Sequence, residues 1–221
     1  MSFVDPEQFI ITRKRKKYKF ALFHNSPLCF EYDEWQAAQA EAAMPVDVLE
    51  VGAGNGMFSV ELAARRPEQV FLALDVKGDR LQKGAREAEA RGLANVWFVR
   101  ARADQAEELV APGSLRGIWL TFSDPFPRRR SAGRRLTHPG FLARYARVLA
   151  PGGSLLLKHD NRDFFCWSLE QLVASGWRID ELSFDLHQSD LSEDYRLLTA
   201  YEQRWLGEGR VTQCVKASRP D

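Results

Sequence analysis

The chain has 221 residues, of which 45% are hydrophobic and 28% charged, and its formal net charge is +1. This composition is ordinary for a soluble globular protein, and the length suits one α/β domain, with or without an appendage. Three cysteines, odd in number and far apart, exclude a disulfide framework and a metal-ligand spacing, so we expect buried thiols in a reducing cytoplasm. No apolar run reaches the roughly 18 residues of a membrane span, and the N-terminus carries charge where a signal peptide would have its apolar core.

Positive charge is concentrated in two clusters, residues 13–19 (RKRKKYK) and residues 128–135 (RRRSAGRR). Residues 1–32 show no clear period and contain two prolines, so we expect a basic N-terminal extension that is partly mobile. Residues 33–221 are predicted to form the main domain. The first cluster is compatible with a solvated tail as well as with a segment that binds a polyanion.

From residue 33 onward, short apolar runs alternate with amphipathic segments. Strands are predicted at residues 46–51, 70–74, 96–99, 117–122 and 154–158, and helices at residues 34–44, 57–65, 79–91 and 141–149. This alternation predicts right-handed βαβ crossovers. Two further apolar runs, residues 177–185 and 211–217, predict an antiparallel hairpin at the sheet edge. The predicted fold is a doubly wound α/β architecture: a mainly parallel, seven-stranded Rossmann-like sheet with an antiparallel edge strand.

The turn after the first predicted strand of the main domain is rich in glycine. Gly52, Gly54 and Gly56 occupy alternate positions, which lets the backbone turn sharply and approach a ligand. A nicotinamide or flavin fingerprint would need glycine where this chain has Met57. The remaining pattern, E-x-G-x-G-x-G, resembles motif I of the class I S-adenosylmethionine (SAM) methyltransferases, whose glycine loop lies against the methionine part of the cofactor. A tight turn without a ligand is the alternative interpretation.

Ligands of such sheets bind outside the carboxyl ends of the strands, where this chain places several charged residues. Glu50 lies in the first of these strands, and Asp75 ends the second, where a carboxylate can accept hydrogen bonds from both ribose hydroxyls. The alternative role for Asp75 is a helix cap or a solvent-exposed carboxylate. After the third strand, Asp104 could contact adenine, as acids there commonly do in SAM enzymes, or could cap the next helix.

The fourth strand ends in Phe122-Ser123-Asp124-Pro125-Phe126-Pro127. Its two prolines restrict the backbone and hold the Asp124 carboxylate rigidly at the strand terminus. The segment resembles the D/N-P-P-Y/F/W motif with which amino-methylating enzymes hold the nitrogen that receives the methyl group. The arginines that follow would repel one another unless phosphates or carboxylates lie opposite, so they favour a polyanionic substrate.

Taken together, the motifs resemble the tRNA (guanine-N7-)-methyltransferase family of bacterial type over about residues 45–217. The resemblance is carried by E-x-G-x-G-x-G, by F-S-D-P-x-P-[KR]-x-R followed by Arg134-Arg135-Leu136-Thr137, by Lys158-His159-Asp160, and by Thr199-Ala200-Tyr201-Glu202-Gln203-Arg204. It implies a class I methyltransferase fold over residues 33–221, SAM as methyl donor, and N7 of the guanosine at nucleotide 46 in the tRNA variable region as acceptor.

The resemblance also implies roles for individual residues. The cofactor-binding residues would be Glu50, Gly52, Gly54, Gly56, Asp75, Arg102, Asp104 and Asp124, with Asp124 also catalytic. The substrate-binding residues would be Arg128, Asp160, Thr199, Ala200, Tyr201 and Glu202. The two clusters would contact the tRNA backbone through Arg13, Lys14, Arg15, Lys16, Lys17, Arg129, Arg130, Arg134 and Arg135. No metal is expected.

Four positions depart from the family pattern. Family members usually have Trp at Phe126, Lys at Arg128, Thr at His159, and an acid or asparagine at Arg102, so either Arg102 or Asp104 could make the adenine contact. We interpret His159 as a hydrogen-bonded structural residue, because no second histidine has a metal-ligand spacing.

Alternative functions are a SAM-dependent methyltransferase acting on a different RNA, a small molecule or a protein, and a catalytically silent RNA-binding protein. A small-molecule or protein substrate would leave the arginines of residues 128–135 without a polyanion. A catalytically silent RNA-binding protein would not need Glu50, Asp75 and Asp124 at strand ends. The expected partner is tRNA. Monomer and homodimer both stay open, as does the choice of tRNA, and no obligate second subunit is expected.

Overall fold

The structure is a computed structural model that describes residues 3–11 and 13–220. The chain divides into two compact units, Met1–Gln105 and Ala106–Asp221. Each unit contains four strands.

The first unit is built around parallel strands. Its helices are α1 (Lys14–His24), α2 (Tyr32–Glu41), α3 (Met57–Arg65) and α4 (Gly78–Ala90), and its strands are β1 (Cys29–Glu31), β2 (Val48–Val51), β3 (Phe71–Asp75) and β4 (Val96–Arg100). The strand order is β1-β4-β3-β2, and every adjacent pair is parallel. Strand β2 is buried along its whole length and β3 as far as Leu74, as expected for parallel strands that are covered on both faces.

The segment predicted as an N-terminal extension contributes to this unit. Helix α1 packs against α4, and β1 pairs with β4. Sequence periodicity did not predict either element, because α1 is charged on most of its faces and buries only Ala21 and Phe23, while β1 has only three residues. The mobility expected within residues 1–32 stays a prediction.

The second unit is mixed. Its strands are β5 (Leu115–Thr121), β6 (Leu149–His159), β7 (Arg178–Ser183) and β8 (Gln213–Ser218), and its helices are α5 (Pro139–Val148), α6 (Arg162–Ala174) and α7 (Ala200–Leu206). Strand β5 is parallel to β6, whereas β8 lies between β6 and β7 and is antiparallel to both. The predicted antiparallel pairing of the last two strands is confirmed. Their connection, residues 184–212, is not a short hairpin loop because it contains α7.

The described residues thus form eight strands rather than the predicted seven, since β1 is added to the parallel set. Cys29 and Cys214 are buried as expected, and burial raises the pKa of each thiol to about 12, while Cys166 is partly exposed. Within residues 3–11 and 13–220, no helix has both the length and the apolar character needed to cross a membrane.

Candidate active site

The glycine turn lies between β2 and α3. Gly52, Gly54 and Gly56 have φ values of 78°, 61° and 72°, in the left-handed region that glycine enters without steric cost. A Cβ at Gly56 would lie 2.5 Å from the Phe98 ring, so this glycine is needed for packing. A Cβ at Gly54 would meet nothing within 4 Å. Gly54 therefore borders open space that a ligand can enter.

Asp75, at the end of β3, is bonded to this turn. Its Oδ2 accepts from the Gly54 N–H at 2.9 Å, and its Oδ1 accepts from the Lys77 N–H at 2.9 Å. Burial raises the pKa of the carboxyl, and these backbone bonds oppose the rise. Because each carboxylate oxygen has a second lone pair, Asp75 can hold the glycine turn and still accept from two ligand hydroxyls.

Glu50 lies beneath the same turn. It is 2% exposed, and its Oε2 accepts from the Ser59 hydroxyl at 2.6 Å. Ser59 is in the first turn of α3, so the bond ties β2 to the helix that follows the glycines. The cofactor contact predicted for Glu50 stays a prediction.

Arg102 and Asp104, which we considered as alternatives, form one ion pair. The Arg102 Nε donates to Asp104 Oδ1 at 2.9 Å, and Asp104 lies in a short 3-10 helix, Ala103–Glu108. The Arg102 side chain is 71% exposed. Because the two side chains are paired, an adenine contact by one of them would place the other nearby. The adenine contact itself stays a prediction.

In the second unit, the turn after β5 has an unusual backbone. Phe122 and Phe126 have φ values of 49° and 41°. Among the residues that the structure describes, they are the two non-glycine residues with a positive φ. A bulky residue in this region costs on the order of 1–3 kcal/mol, and such strain tends to occur at functional sites. Between the two phenylalanines, Ser123 is buried and Asp124 is exposed. The turn therefore presents the Asp124 carboxylate to solvent.

Arg135 is bonded to the backbone of this turn. Its Nε donates to the Pro125 carbonyl at 3.0 Å, its Nη2 donates to the Phe126 carbonyl at 3.1 Å, and its guanidinium lies 4.3 Å from the Trp167 ring centroid. Arg134 lies over the Phe126 ring at 4.6 Å. We predicted tRNA phosphate contacts for both arginines, but in this structure Arg135 is directed toward the chain itself.

His159, at the end of β6, is bonded to the other side of the turn. Its Nδ1 accepts from the Asn161 N–H at 2.8 Å, so the proton is on Nε2, which donates to the Ser123 carbonyl at 2.8 Å. Burial lowers the pKa of the imidazole, although the Ser123 carbonyl and the Asp160 and Asp124 carboxylates oppose this shift. The ring is therefore neutral, and the prediction of a hydrogen-bonded structural histidine is confirmed.

Asp160 is the centre of a polar and aromatic cluster. Its Oδ2 accepts from the Tyr201 hydroxyl and from Arg210 Nη1, each at 3.0 Å. The Tyr201 ring lies 5.1 Å from Phe122, and Arg210 lies over Trp205 at 4.0 Å. Tyr201 is 42% exposed, so it can present an aromatic face to a substrate. The Asp160 side chain is only 8% exposed, and the substrate contact predicted for it stays a prediction.

Glu202 has a different environment from its neighbour Tyr201. It is 2% exposed, its Oε2 accepts from the Lys158 Nζ at 2.9 Å, and its Oε1 accepts from His187 Nε2 at 2.8 Å and from Thr212 Oγ1 at 3.1 Å. It also forms a capping box with Thr199, and Ala200 begins the capped helix α7. The substrate contact predicted for Glu202 stays a prediction, while its observed bonds hold α7 against β6.

Sequence reasoning named Lys158 only as part of the Lys158-His159-Asp160 motif, and it did not identify Lys158, His187 or Arg210 as partners in these clusters. A signal existed only for Lys158, which is a charged residue at the end of the apolar run of β6 and is completely buried in the structure. Buried lysines require a partner.

The basic clusters differ in structure. Arg128, Arg129 and Arg130 are exposed, the last two at the start of a short 3-10 helix, Arg129–Arg134. The N-terminal cluster lies on the first turns of α1 and just before it, where Arg13, Lys14, Arg15 and Lys16 are exposed. Lys17 pairs with Glu7 at 2.9 Å. In the part of the chain that is described, no group of three or more His, Cys, Asp or Glu side chains could hold a metal ion.

Similar sequences are methyltransferases. A family model described as "Putative methyltransferase" matches residues 45–215. A tRNA (guanine-N(7)-)-methyltransferase from Cytophaga hutchinsonii is 41% identical over 165 residues, covering 73% of this chain and 75% of the relative. One from Bacteroides thetaiotaomicron is 34% identical over 221 residues, covering 94% of this chain and 86% of the relative.

Solved structures show the same fold. The crystal structure of the 16S rRNA methyltransferase KamB aligns with a TM-score of 0.61 and 19% identity, covering 87% of this chain and 95% of KamB. A 16S rRNA (adenine(1408)-N(1))-methyltransferase from Catenulisporales acidiphilia aligns with a TM-score of 0.58 and 20% identity, covering 86% of this chain and 93% of that chain. The predicted class I methyltransferase fold is confirmed.

Proposed function

Because this chain belongs to the tRNA (guanine-N7-)-methyltransferase family, we propose that it transfers a methyl group from SAM to N7 of guanosine 46 in the variable region of tRNA. The observation that carries the proposal is the Asp124 turn, in which an exposed carboxylate is held by a strained backbone at a strand end.

The residues of the first unit fit the cofactor. SAM, when bound, supplies an electrophilic methyl group on a positively charged sulfur. The open space beside Gly54 admits close approach to the backbone, and Asp75 keeps acceptor capacity for ribose hydroxyls. In this unit we assign cofactor binding to Glu50, Gly52, Gly54, Gly56, Asp75 and the Arg102–Asp104 pair. The cofactor contact predicted for Asp124 stays a prediction.

The acceptor chemistry requires alignment more than proton transfer. Guanine N7 has an in-plane lone pair and no proton, so it can attack a methyl group without a general base. Positioning alone can supply roughly 7–11 kcal/mol of a barrier. Methylation makes the imidazole ring of guanine cationic, and a carboxylate beside it stabilises the charge that develops in the transition state. We assign this role to Asp124.

We infer that residues at the ends of β6 and α7 supply further substrate contacts. Tyr201 and Asp160 offer an aromatic face and a carboxylate, and we assign base or ribose contacts to them together with Thr199 and Ala200. Arg128, Arg129, Arg130 and Arg134 are exposed, and we assign phosphate contacts near the acceptor site to them.

The N-terminal cluster would bind tRNA phosphates through Arg13, Lys14, Arg15 and Lys16. These side chains are exposed on and just before α1. We further propose that the chain acts in the cytoplasm, because its tRNA substrate is there and its three thiols are free. Neither proposal requires a second protein subunit.

A digest of tRNA analysed by mass spectrometry tests the function. After incubation with the protein and SAM, we expect one 7-methylguanosine, in the fragment that contains nucleotide 46, and none in a tRNA with adenosine at that position. Methylation elsewhere in RNA would replace the proposed acceptor. SAM binding without any methylated RNA would favour a small-molecule or protein substrate, and absence of both would indicate a silent RNA-binding protein.

A further inference from the structure

We propose that Arg135 is a positioning residue for Asp124 rather than a contact to tRNA phosphate. This inference rests on the proposed catalytic role of Asp124, and it assigns to one arginine of the second basic cluster a task that differs from that of its neighbours.

The first observation is the direction of the Arg135 guanidinium. Its Nε and Nη2 donate to two consecutive carbonyl oxygens, those of Pro125 and Phe126, at 3.0 and 3.1 Å. The planar guanidinium can make two such bonds from fixed directions, whereas a lysine ammonium lacks this geometry. The face of the same group lies 4.3 Å from the Trp167 ring centroid, which further restricts its orientation.

The second observation is the backbone to which Arg135 is bonded. Phe126 has a φ of 41°, which a phenylalanine does not keep unless its surroundings hold it. The bonds from Arg135 are made to the carbonyl of this residue and to that of the residue before it. Pro125 directly follows Asp124, so relaxation of this backbone would displace the carboxylate.

The third observation is that the turn is held from both sides. His159 donates to the Ser123 carbonyl at 2.8 Å, on the N-terminal side of Asp124. The Phe122 N–H donates to the Lys158 carbonyl at 2.9 Å. Asp124 is thus flanked by carbonyls that accept bonds from two different segments, and Arg135 supplies the bonds on the C-terminal side.

Arg130 provides the comparison. It lies in the same cluster and is exposed, and among residues 3–11 and 13–220 its side chain has no hydrogen-bond or ion-pair partner. Its charge is available to a phosphate. Arg135 is half-buried, and its donors toward the turn are occupied.

The experiment compares Arg135→Lys, Arg135→Ala and Arg130→Ala with the wild type. Three quantities are measured: kcat at saturating tRNA and SAM, the dependence of tRNA Kd on salt, and hydrogen–deuterium exchange over residues 122–136. Calorimetric SAM affinity and circular dichroism check that each variant is folded.

We expect both Arg135 variants to lose roughly 10- to 100-fold in kcat, because a displacement of about 1 Å at the reacting group has an effect of this size. The salt slope of Arg135→Ala should equal that of the wild type, whereas Arg130→Ala should be shallower by about 1. Exchange over residues 122–136 should be faster in both Arg135 variants than in Arg130→Ala.

Two results would overturn the proposal. Wild-type kcat in Arg135→Lys would show that positive charge is sufficient, and a salt slope in Arg135→Ala that is as shallow as that of Arg130→Ala would show a phosphate contact. If the wild-type protein does not methylate tRNA, the proposed function fails instead. Hydrogen exchange still tests the turn in that case, and unchanged exchange in a folded Arg135→Lys protein would then reject the role of Arg135.

Discussion

The glycine turn of the first unit and the Asp124 turn of the second unit both need left-handed backbone, and they reach it in different ways. Gly52, Gly54 and Gly56 adopt positive φ without steric cost, and the Asp75 carboxylate of β3 accepts a hydrogen bond from the Gly54 N–H. The Asp124 turn instead places Phe122 and Phe126 in this region and relies on side chains that come from elsewhere in the chain.

The two turns differ in what they offer to a ligand. A glycine turn brings the backbone itself close to a ligand, because no side chain stands in between. A turn that is held by Arg135 and His159 presents side chains in a fixed direction, and its geometry depends on distant residues. Substitutions should therefore act locally in the first case and from a distance in the second.

The largest effect is expected from a side chain added to the glycine turn. Gly54→Val should abolish SAM binding, measured by calorimetry, because the new side chain fills the space beside the turn. Gly92→Val is a matched control, since Gly92 also has a positive φ and open space but lies at the end of α4. Both variants should lose roughly 1–2 kcal/mol of stability from backbone strain. Near-normal SAM affinity in a folded Gly54→Val protein would contradict the assignment of this turn.

The next effect concerns the carboxylate that the second turn presents. Asp124→Asn should lower kcat on the order of 10²-fold while changing tRNA affinity far less, because the lost charge matters mainly in the transition state. Glu170→Gln, on an exposed position of α6, serves as the charge control. Equal losses in kcat and in affinity would make Asp124 a binding residue, and little loss in either would mean that geometry outweighs charge.

A double-mutant cycle tests whether glycine at position 126 can replace the hydrogen bonds from Arg135 in keeping the positive φ of this turn. Phe126→Gly should make positive φ inexpensive, so adding Arg135→Ala to it should cost less activity than Arg135→Ala alone. A coupling of about 0.5–3 kcal/mol in the activation free energy is typical of residues in contact. The same cycle with Arg130→Ala should be additive. Additivity in both cycles would show that Arg135 does not maintain the positive φ of Phe126.

The neutral form of His159 predicts a dependence of stability on pH. Its pKa is lowered in the folded protein, so the folded state binds fewer protons than the unfolded state as the pH falls below 6.5. The contribution of His159 is complete above pH 6.5 and is lost as the pH falls through the folded-state pKa. The loss is at most about 1.4 kcal/mol per pH unit.

Urea unfolding of the wild type and of His159→Thr at pH 7.5 and 5.5 measures this contribution. The wild type should lose more stability than the variant over this interval, although the Asp160 and Asp124 carboxylates reduce the difference by favouring the charged ring. An equal loss would remove His159 from the groups that determine the pH response.

The smallest effect is expected at Tyr145, where a buried hydroxyl destabilises the fold without contributing to the site. The Tyr145 hydroxyl is completely buried and has no hydrogen-bond partner among the described residues, and burial raises its pKa. Tyr145→Phe should therefore increase the free energy of unfolding by about 1 kcal/mol without changing kcat. A destabilised variant would mean that the hydroxyl contributes through packing.

The sequence was sufficient for the parts of the fold in which local pattern decides the outcome. The helix predicted at residues 57–65 is α3, and the strand before Asp75 ends at that residue, because apolar runs and turn residues define both. The same reasoning found Asp124 at the end of β5. It failed for α1 and β1, because α1 is mostly charged and β1 is too short for a period. It also failed for α6, which was not among the predicted helices, and for α7, whose position depends on the Lys158–Glu202 pair.

The contacts within the site could not be predicted in the same way. Whether an arginine of residues 128–135 points to solvent or back to the chain depends on the path of the backbone between Phe122 and Arg135. No periodicity describes that path, since its key feature is positive φ at phenylalanine. The residues were therefore identified from the sequence, but the division of labour among the arginines emerged only from the structure.

The position of β8 has a consequence for synthesis on the ribosome. All strands of the first unit lie within residues 29–100, so its hydrogen bonds can form while the rest of the chain is still being translated. In the second unit, β7 pairs with β8, and β8 also pairs with β6. The edge of β6 that β8 later covers therefore stays open until residues 213–218 leave the exit tunnel. During that interval the nascent chain exposes an unpaired strand edge of the kind that nonspecific association exploits.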